Sequence, residues 1–147
     1  MAVFTITGAT GSVGRAIIQT LQSQSHEIRV LSTRKSVEIN GVSSFYWNPN
    51  TNEIDQDALI GSDYLIHLAG ATVSKRWTAA YKKQIMDSRL DGTQLLLSTM
   101  RRLKTPLKAV ISASAIGYYG SDLERLMKER DAPANDYLAA VTKTWES

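Results

Sequence analysis

The 147-residue chain contains no cysteine. That excludes a disulfide framework, a thiolate nucleophile and any metal or cluster held by cysteine, and it fits the cytoplasm. No apolar run approaches the roughly 18–20 residues that cross a bilayer, so no membrane association is expected. The first residues alternate in strand fashion instead of placing a basic stretch before a long apolar run, so no signal peptide is expected. Excess charge of one sign is scarce. The 17 Lys and Arg stand against 14 Asp and Glu, a net charge of +3 that is too small to indicate nucleic acid. Internal repeats, low-complexity tracts and interdomain linkers are missing as well. What is present, 43% hydrophobic and 21% charged residues, is the ordinary make-up of one globular domain.

Short runs of β-branched and aromatic residues alternate with helical periodicities. Residues 2–7 predict a buried first strand stopped by Gly8, and Val13, Ala16, Ile17 and Leu21 then recur at helical spacing. Strands are predicted over 27–31, 43–47, 64–68 and 108–112. A short helix is expected over 54–60, ended by Gly61, and a long one from Thr78 to about Leu103, with Pro106 at its exit. A polar stretch follows Gly120, after which Tyr137, Leu138, Val141 and Trp145 return to helical spacing. This alternation predicts an α/β fold: a Rossmann-like, doubly wound parallel sheet with strand order 3-2-1-4-5.

The run Gly8-Ala9-Thr10-Gly11-Ser12-Val13-Gly14 joins the first strand to the first helix. Gly8 permits a tight turn, Gly11 lets the backbone approach a pyrophosphate, and Gly14 allows close helix–strand packing. The helix start beyond it offers unpaired N–H groups and a positive dipole end to phosphates. In this strand–turn–helix setting the glycines point to a dinucleotide. At the end of the second strand, NAD-binding sites place a carboxylate on the ribose 2′-hydroxyl. This chain has Ser32-Thr33-Arg34-Lys35 there and no carboxylate before Glu38. A guanidinium pairs bidentately with a 2′-phosphate, so NADP is favoured, with NAD the alternative and two solvated loop cations the bland reading.

Further segments occur in a consistent order: Tyr46-Trp47-Asn48-Pro49, Ile66-His67-Leu68-Ala69-Gly70-Ala71, Arg76-Trp77-Thr78, Ser88-Arg89 with Gly92-Thr93, Ser112-Ala113-Ser114-Ala115-Ile116-Gly117-Tyr118-Tyr119-Gly120, and Trp145-Glu146. With the glycine run they resemble the atypical branch of the extended short-chain dehydrogenase/reductases known as epimerase-family proteins, relatives of nucleotide-sugar epimerases and dehydratases. The resemblance covers the whole chain. It implies that Thr10, Gly11, Ser12 and Val13 meet a pyrophosphate, that Arg34 meets a 2′-phosphate, and that Trp47 and Asn48 lie near the adenine. Asn48 replaces the family's usual aspartate. Leu68, Ala69 and Gly70 would line the cofactor cleft, and Ser114 corresponds to the superfamily's catalytic Ser/Thr.

Superfamily enzymes pair a tyrosine with a lysine four residues later, so that the ammonium lowers the phenol pKa. None of the six tyrosines here has that lysine, which leaves Ser114 and Tyr118 as the catalytic candidates. Other residues carry two readings each. His67 is either a satisfied structural histidine or an acid–base group, and Trp77 either packs a helix start or forms a substrate platform. Arg89 is either a substrate ligand or a solvated cation, and Tyr118 and Tyr119 either flank the nicotinamide or pack a turn. The lysines and arginines at 75, 76, 82, 83, 101 and 102 fit a solvated helix face. Extended relatives are about twice this length, so residues 1–147 are expected to hold most of a dinucleotide-binding domain, cut before the later strands and the substrate lobe. The fifth strand is then an exposed sheet edge, a route to homo-oligomers. The expected function is hydride transfer at a carbonyl or alcohol carbon of an unknown small substrate. The alternative is a non-catalytic nicotinamide-dinucleotide-binding regulatory module.

Overall fold

The computed structural model describes residues 1–35, 37–122 and 124–147. Six strands form one sheet: β1 (Val3–Thr7), β2 (Glu27–Ser32), β3 (Ser43–Asn48), β4 (Glu53–Ile54), β5 (Tyr64–His67) and β6 (Ala109–Ser112). Among the described residues three helices accompany it, α1 (Ser12–Ser23), α2 (Ala79–Leu103) and α3 (Tyr137–Glu146), the last packed on α2. The sheet order is β4-β3-β2-β1-β5-β6, and every pairing except β3 with β4 is parallel. The five parallel strands therefore keep the 3-2-1-4-5 order expected from sequence. In the central register, Ile6 lies beside Val30 on one side and Ile66 on the other.

Neighbouring residues of these strands point to opposite faces, and each face has its own core. Ile6, Ile28, Val30 and Ile66 pack with Ile18 of α1. Leu31, Leu65, Trp47 and Leu59 pack with Leu95, Leu96 and Met100 of α2. Val30 and Leu31, adjacent in sequence, thus enter different cores, as do Leu65 and Ile66, which is why these strands read as continuous apolar runs. Burying each such side chain stabilises the fold by about 1.5–3 kcal/mol.

Local chemistry sets the helix ends. The Tyr81 amide donates to Thr78 Oγ1 at 3.1 Å, and the Ala139 amide to Asp136 Oδ1 at 2.9 Å, so α2 and α3 both begin on side-chain caps. Lys104 closes α2 in the left-handed region at φ 52°.

The helix expected over 54–60 is absent. Asn52 (φ 57°) turns the chain back, so that Ile54 pairs antiparallel with Trp47 in the short hairpin strand β4. The Asp55 carboxylate then caps a single 3-10 turn, Gln56–Ala58. Ala58 and Leu59, which looked like a helical stripe, instead plug the α2-side core. The connection from β2 to β3 is also non-helical over its described residues, with Ile39 and Val42 packed under α1. As expected, β6 lies at a sheet edge, with Val110 49% and Ile111 51% exposed. Among the described residues no helix is long and apolar enough to cross a membrane.

Candidate functional site

The carboxyl ends of β1, β2, β3 and β5 open onto one cleft of about 530 Å³. Its floor is the turn Gly8, Ala9, Thr10 and Gly11. Its walls are Leu31–Thr33, Trp47–Asn50 and Leu68–Ala71, with Gln84 and Ser88 of α2 closing one side. Gly8, Thr10, Gly11, Trp47, Asn48, Leu68, Ala69 and Gly70, all singled out from sequence, come together here. Trp47 lines the cleft from within the core, since it is 2% exposed and presents its ring edge-on to His67 at 6.1 Å. Ser12 and Val13 stand beside the cleft on the first turn of α1, and neither lines it; Val13 is 61% exposed.

Two glycines make the turn possible. Gly8 has φ +70°, and a Cβ there would lie 2.8 Å from the Leu68 carbonyl carbon and 2.9 Å from the Ala69 nitrogen. A Cβ on Gly14 would lie 2.6 Å from the Gly8 oxygen and 2.7 Å from Ala9 Cα. The glycine turn, the start of α1 and the chain after β5 therefore pack backbone against backbone. Gly11, the N-cap of α1, supplies no side-chain hydrogen bond, and the first turn carries no acidic residue. The opening amides of α1 are left as donors beside the cleft, with the positive end of the helix dipole behind them.

A hydroxyl locks the two loops together. Thr7 Oγ1 accepts from the Leu68 and Ala69 amides, both at 3.1 Å, and forms a 2.7 Å hydrogen bond with His67 Nδ1. On the α2 side, the Ala71 amide donates to Ser88 Oγ at 2.9 Å. Arg89, read as either a ligand or a solvated cation, is not a freely solvated cation. It donates to the carbonyls of Ala71 (3.2 Å) and Ile85 (3.0 Å) and lies 5.0 Å from the Trp145 ring, and desolvation lowers its pKa.

A second depression of about 400 Å³ shares Thr10 with the main cleft. Arg34 lines it, with Arg15, Val37, Glu38 and Ile39. Arg15 Nε donates to the Thr10 carbonyl at 3.1 Å, which ties this cation to the glycine turn. Sequence reading did not single out Arg15. Its placement immediately after Gly14, one helical turn past Gly11, was the available signal.

Neither catalytic candidate lines the cleft. Ser114 follows β6, is exposed, and donates its hydroxyl proton to Glu146 at the end of α3. Tyr118 lies in a single 3-10 turn, Ile116–Tyr119, with its ring edge-on to Tyr119 at 5.0 Å. Tyr137 donates to the Lys82 carbonyl at 2.6 Å, and Val141, one turn on, is buried where a lysine partner would stand. Burial raises the Tyr137 phenol pKa. Trp77 packs edge-on to Tyr137 at 5.5 Å and donates to the Val73 carbonyl at 2.7 Å, the packing role at the start of α2. His67 is 2% exposed, and burial lowers its pKa to about 4, so it is neutral at pH 7.

The model of the NAD dependent epimerase/dehydratase family matches residues 4–143. An epimerase family protein of Mycobacterium leprae is 30% identical over 146 residues, which are 99% of this chain and 46% of that protein. Among solved structures, the nucleoside-diphosphate sugar epimerase from Corynebacterium glutamicum superposes with a TM-score of 0.78 at 32% identity, covering 99% of this chain and 29% of that one. Human epimerase family protein SDR39U1 (isoform 2), solved with NADPH, gives a TM-score of 0.76 at 25% identity, covering 98% of this chain and 47% of that one. The chain spans about half the length of the curated relatives it matches.

Proposed function

Since the chain belongs to the NAD dependent epimerase/dehydratase family, we propose that its cleft binds NADP(H) and serves hydride transfer at a carbonyl or alcohol carbon of a small substrate. The observation that carries this reading is the start of α1. Its amides have no side-chain cap and stand over a turn that only glycine permits, at the mouth of a 530 Å³ cleft. That donor set fits a pyrophosphate. Thr10, Gly11, Ser12 and Val13 would hold it, and Gly8 and Gly14 would shape the turn. Asn48 would border the adenine, with Trp47 behind it, and Leu68, Ala69 and Gly70 would border the nicotinamide half. Arg34 and Arg15 would pair with a 2′-phosphate, while Glu38 in the same depression offsets part of their charge. The NADPH held by human SDR39U1 supports the same choice.

When bound, the nicotinamide supplies or accepts the hydride. Ser114 would hold the substrate oxygen. With its own proton directed to Glu146, Ser114 would meet that oxygen as an acceptor, which suits an alcohol hydroxyl. Titration of tryptophan fluorescence with NADPH and NADH tests the cofactor assignment. Saturation with NADPH at lower concentration than NADH is the expected result, and a folded chain that responds to neither refutes it.

A second reading, a nicotinamide-dinucleotide-binding module without turnover, is favoured by one observation. The Tyr137 hydroxyl is committed to the Lys82 carbonyl, and Val141 stands in the lysine position. It predicts saturable binding with no oxidation of NADPH over a broad carbonyl panel.

A further inference from the structure

The loops after β1 and β5 both border the cleft, and they meet at one oxygen, Thr7 Oγ1. A threonine hydroxyl has one proton to give and two lone pairs to receive with. The Leu68 and Ala69 amides, each 3.1 Å away, take both lone pairs. The proton must therefore leave along the third contact, the 2.7 Å hydrogen bond to His67 Nδ1. Nδ1 is the acceptor, and the neutral ring carries its own proton on Nε2. Reversing that tautomer would set two donors against each other and would force Thr7 to release one of the loop amides.

The surroundings leave Nε2 free for this arrangement. Among the described residues Nε2 has no protein partner, and neither has the buried hydroxyl of Thr93. Both residues line a cavity of about 30 Å³ between α2, β5 and β6. That is space for one water with two polar partners, which satisfies Nε2–H without drawing on Nδ1. The edge of the Trp47 ring and the backbone of Gly92 hold the imidazole plane: a Cβ on Gly92 would lie 3.4 Å from His67 Cε1.

We propose that His67 is a positioning residue for the cofactor cleft. By accepting the Thr7 proton it turns both lone pairs of Thr7 onto the Leu68 and Ala69 amides, and so fixes the loop after β5 against the glycine turn. The proposal rests on the cofactor reading above only for its functional consequence, because the clamp itself has readouts that need no ligand.

Nitrogen-15 NMR of the 147-residue chain at pH 7 should find the His67 proton on Nε2; a proton on Nδ1 overturns the proposal. Hydrogen exchange at the Leu68 and Ala69 amides should speed up about tenfold in His67→Gln, which loses the acceptor at the Nδ1 position. It should stay near wild type in His67→Asn, whose side-chain oxygen occupies that position. Equal protection in the two variants overturns the proposal. NADPH affinity should follow the same order, with about a tenfold loss for H67Q and little for H67N. If H67Q does not fold, the tautomer in the wild type and the protection in H67N still decide. A wild-type chain that fails to bind NADPH refutes the cofactor reading, while the tautomer and amide protection judge this one separately.

Discussion

Replacing Gly14 by alanine sets two effects of opposite sign against each other. In a helix interior, Gly→Ala ordinarily stabilises by about 1 kcal/mol, because glycine loses the most backbone freedom on folding. At Gly14 the new methyl would lie 2.6 Å from the Gly8 oxygen, 2.7 Å from Ala9 Cα and 3.0 Å from the Ala9 carbonyl carbon. All three are backbone atoms of the turn, so no flexible side chain swings away. Overpacking costs about 1–3 kcal/mol, and the rigidity of this turn argues for the upper end. The net expectation is a loss of about 2 kcal/mol. Gly92→Ala in α2 is the matched control. Its methyl would meet His67 Cε1 and the Trp47 ring at 3.4 Å, the near limit of ordinary contact, so most of the helix gain is kept. Urea unfolding should lower the midpoint for G14A and leave it level or raised for G92A, with unchanged slopes. At roughly 2–4 °C per kcal/mol for a domain of this size, G14A should melt about 4–8 °C below wild type. A G14A midpoint at or above wild type refutes the close packing of turn, helix and β5 loop.

Three further outcomes are expected. Arg15→Ala and Arg34→Ala should each weaken NADPH about tenfold to a hundredfold in a fluorescence titration and leave NADH nearly unchanged, since a charged hydrogen bond is worth about 1.5–3 kcal/mol. The His67 pKa falls from 6.5 to about 4 on burial, so the folded state resists its protonation. Stability should therefore be full above pH 6.5 and fall by about 3 kcal/mol between pH 6.5 and 4, a slope that H67N removes in urea melts. Asp63, whose pKa is lowered by Lys108, should add acid sensitivity only below pH 3.8. Thr78→Ala deletes the cap of α2 and should cost about 1 kcal/mol by the same assay.

Much of this architecture was legible because the local signals agreed. Val30-Leu31 and Leu65-Ile66 announced strands covered on both faces, and the glycine run announced the turn whose crowding the structure displays. Residues 54–60 misled because a left-handed Asn52 and a two-residue pairing with β3 outweighed an apolar spacing that fits a helix equally well. Arg15 was not singled out, and Arg89 carried two readings, for the same reason. A cation on an amphipathic helix looks solvated until the neighbouring loop is known. Arg15 proves tied to the glycine turn through Nε, and Arg89 is anchored through Nη1 to backbone carbonyls beside Gly70. The Thr7 clamp lay beyond sequence reading, because it depends on a parallel register that sets Thr7 beside His67. Ser114 and Glu146, 32 residues apart, meet only because α3 packs back against the turn after β6.

The missing cap at the start of α1 has a thermodynamic consequence. α2 and α3 obtain a first hydrogen bond from a capping side chain of their own sequence, whereas α1 has none and its opening amides stay available to a ligand. A ligand that binds only the native state adds RT ln(1 + [L]/Kd) to its stability, about 2.7 kcal/mol at a hundredfold excess over Kd. For this chain that increment would enter at a helix start that has no side-chain cap of its own. The dinucleotide would then act as a stabiliser of the fold as well as a reactant, and the melting temperature of the chain would rise with its concentration before any substrate is turned over.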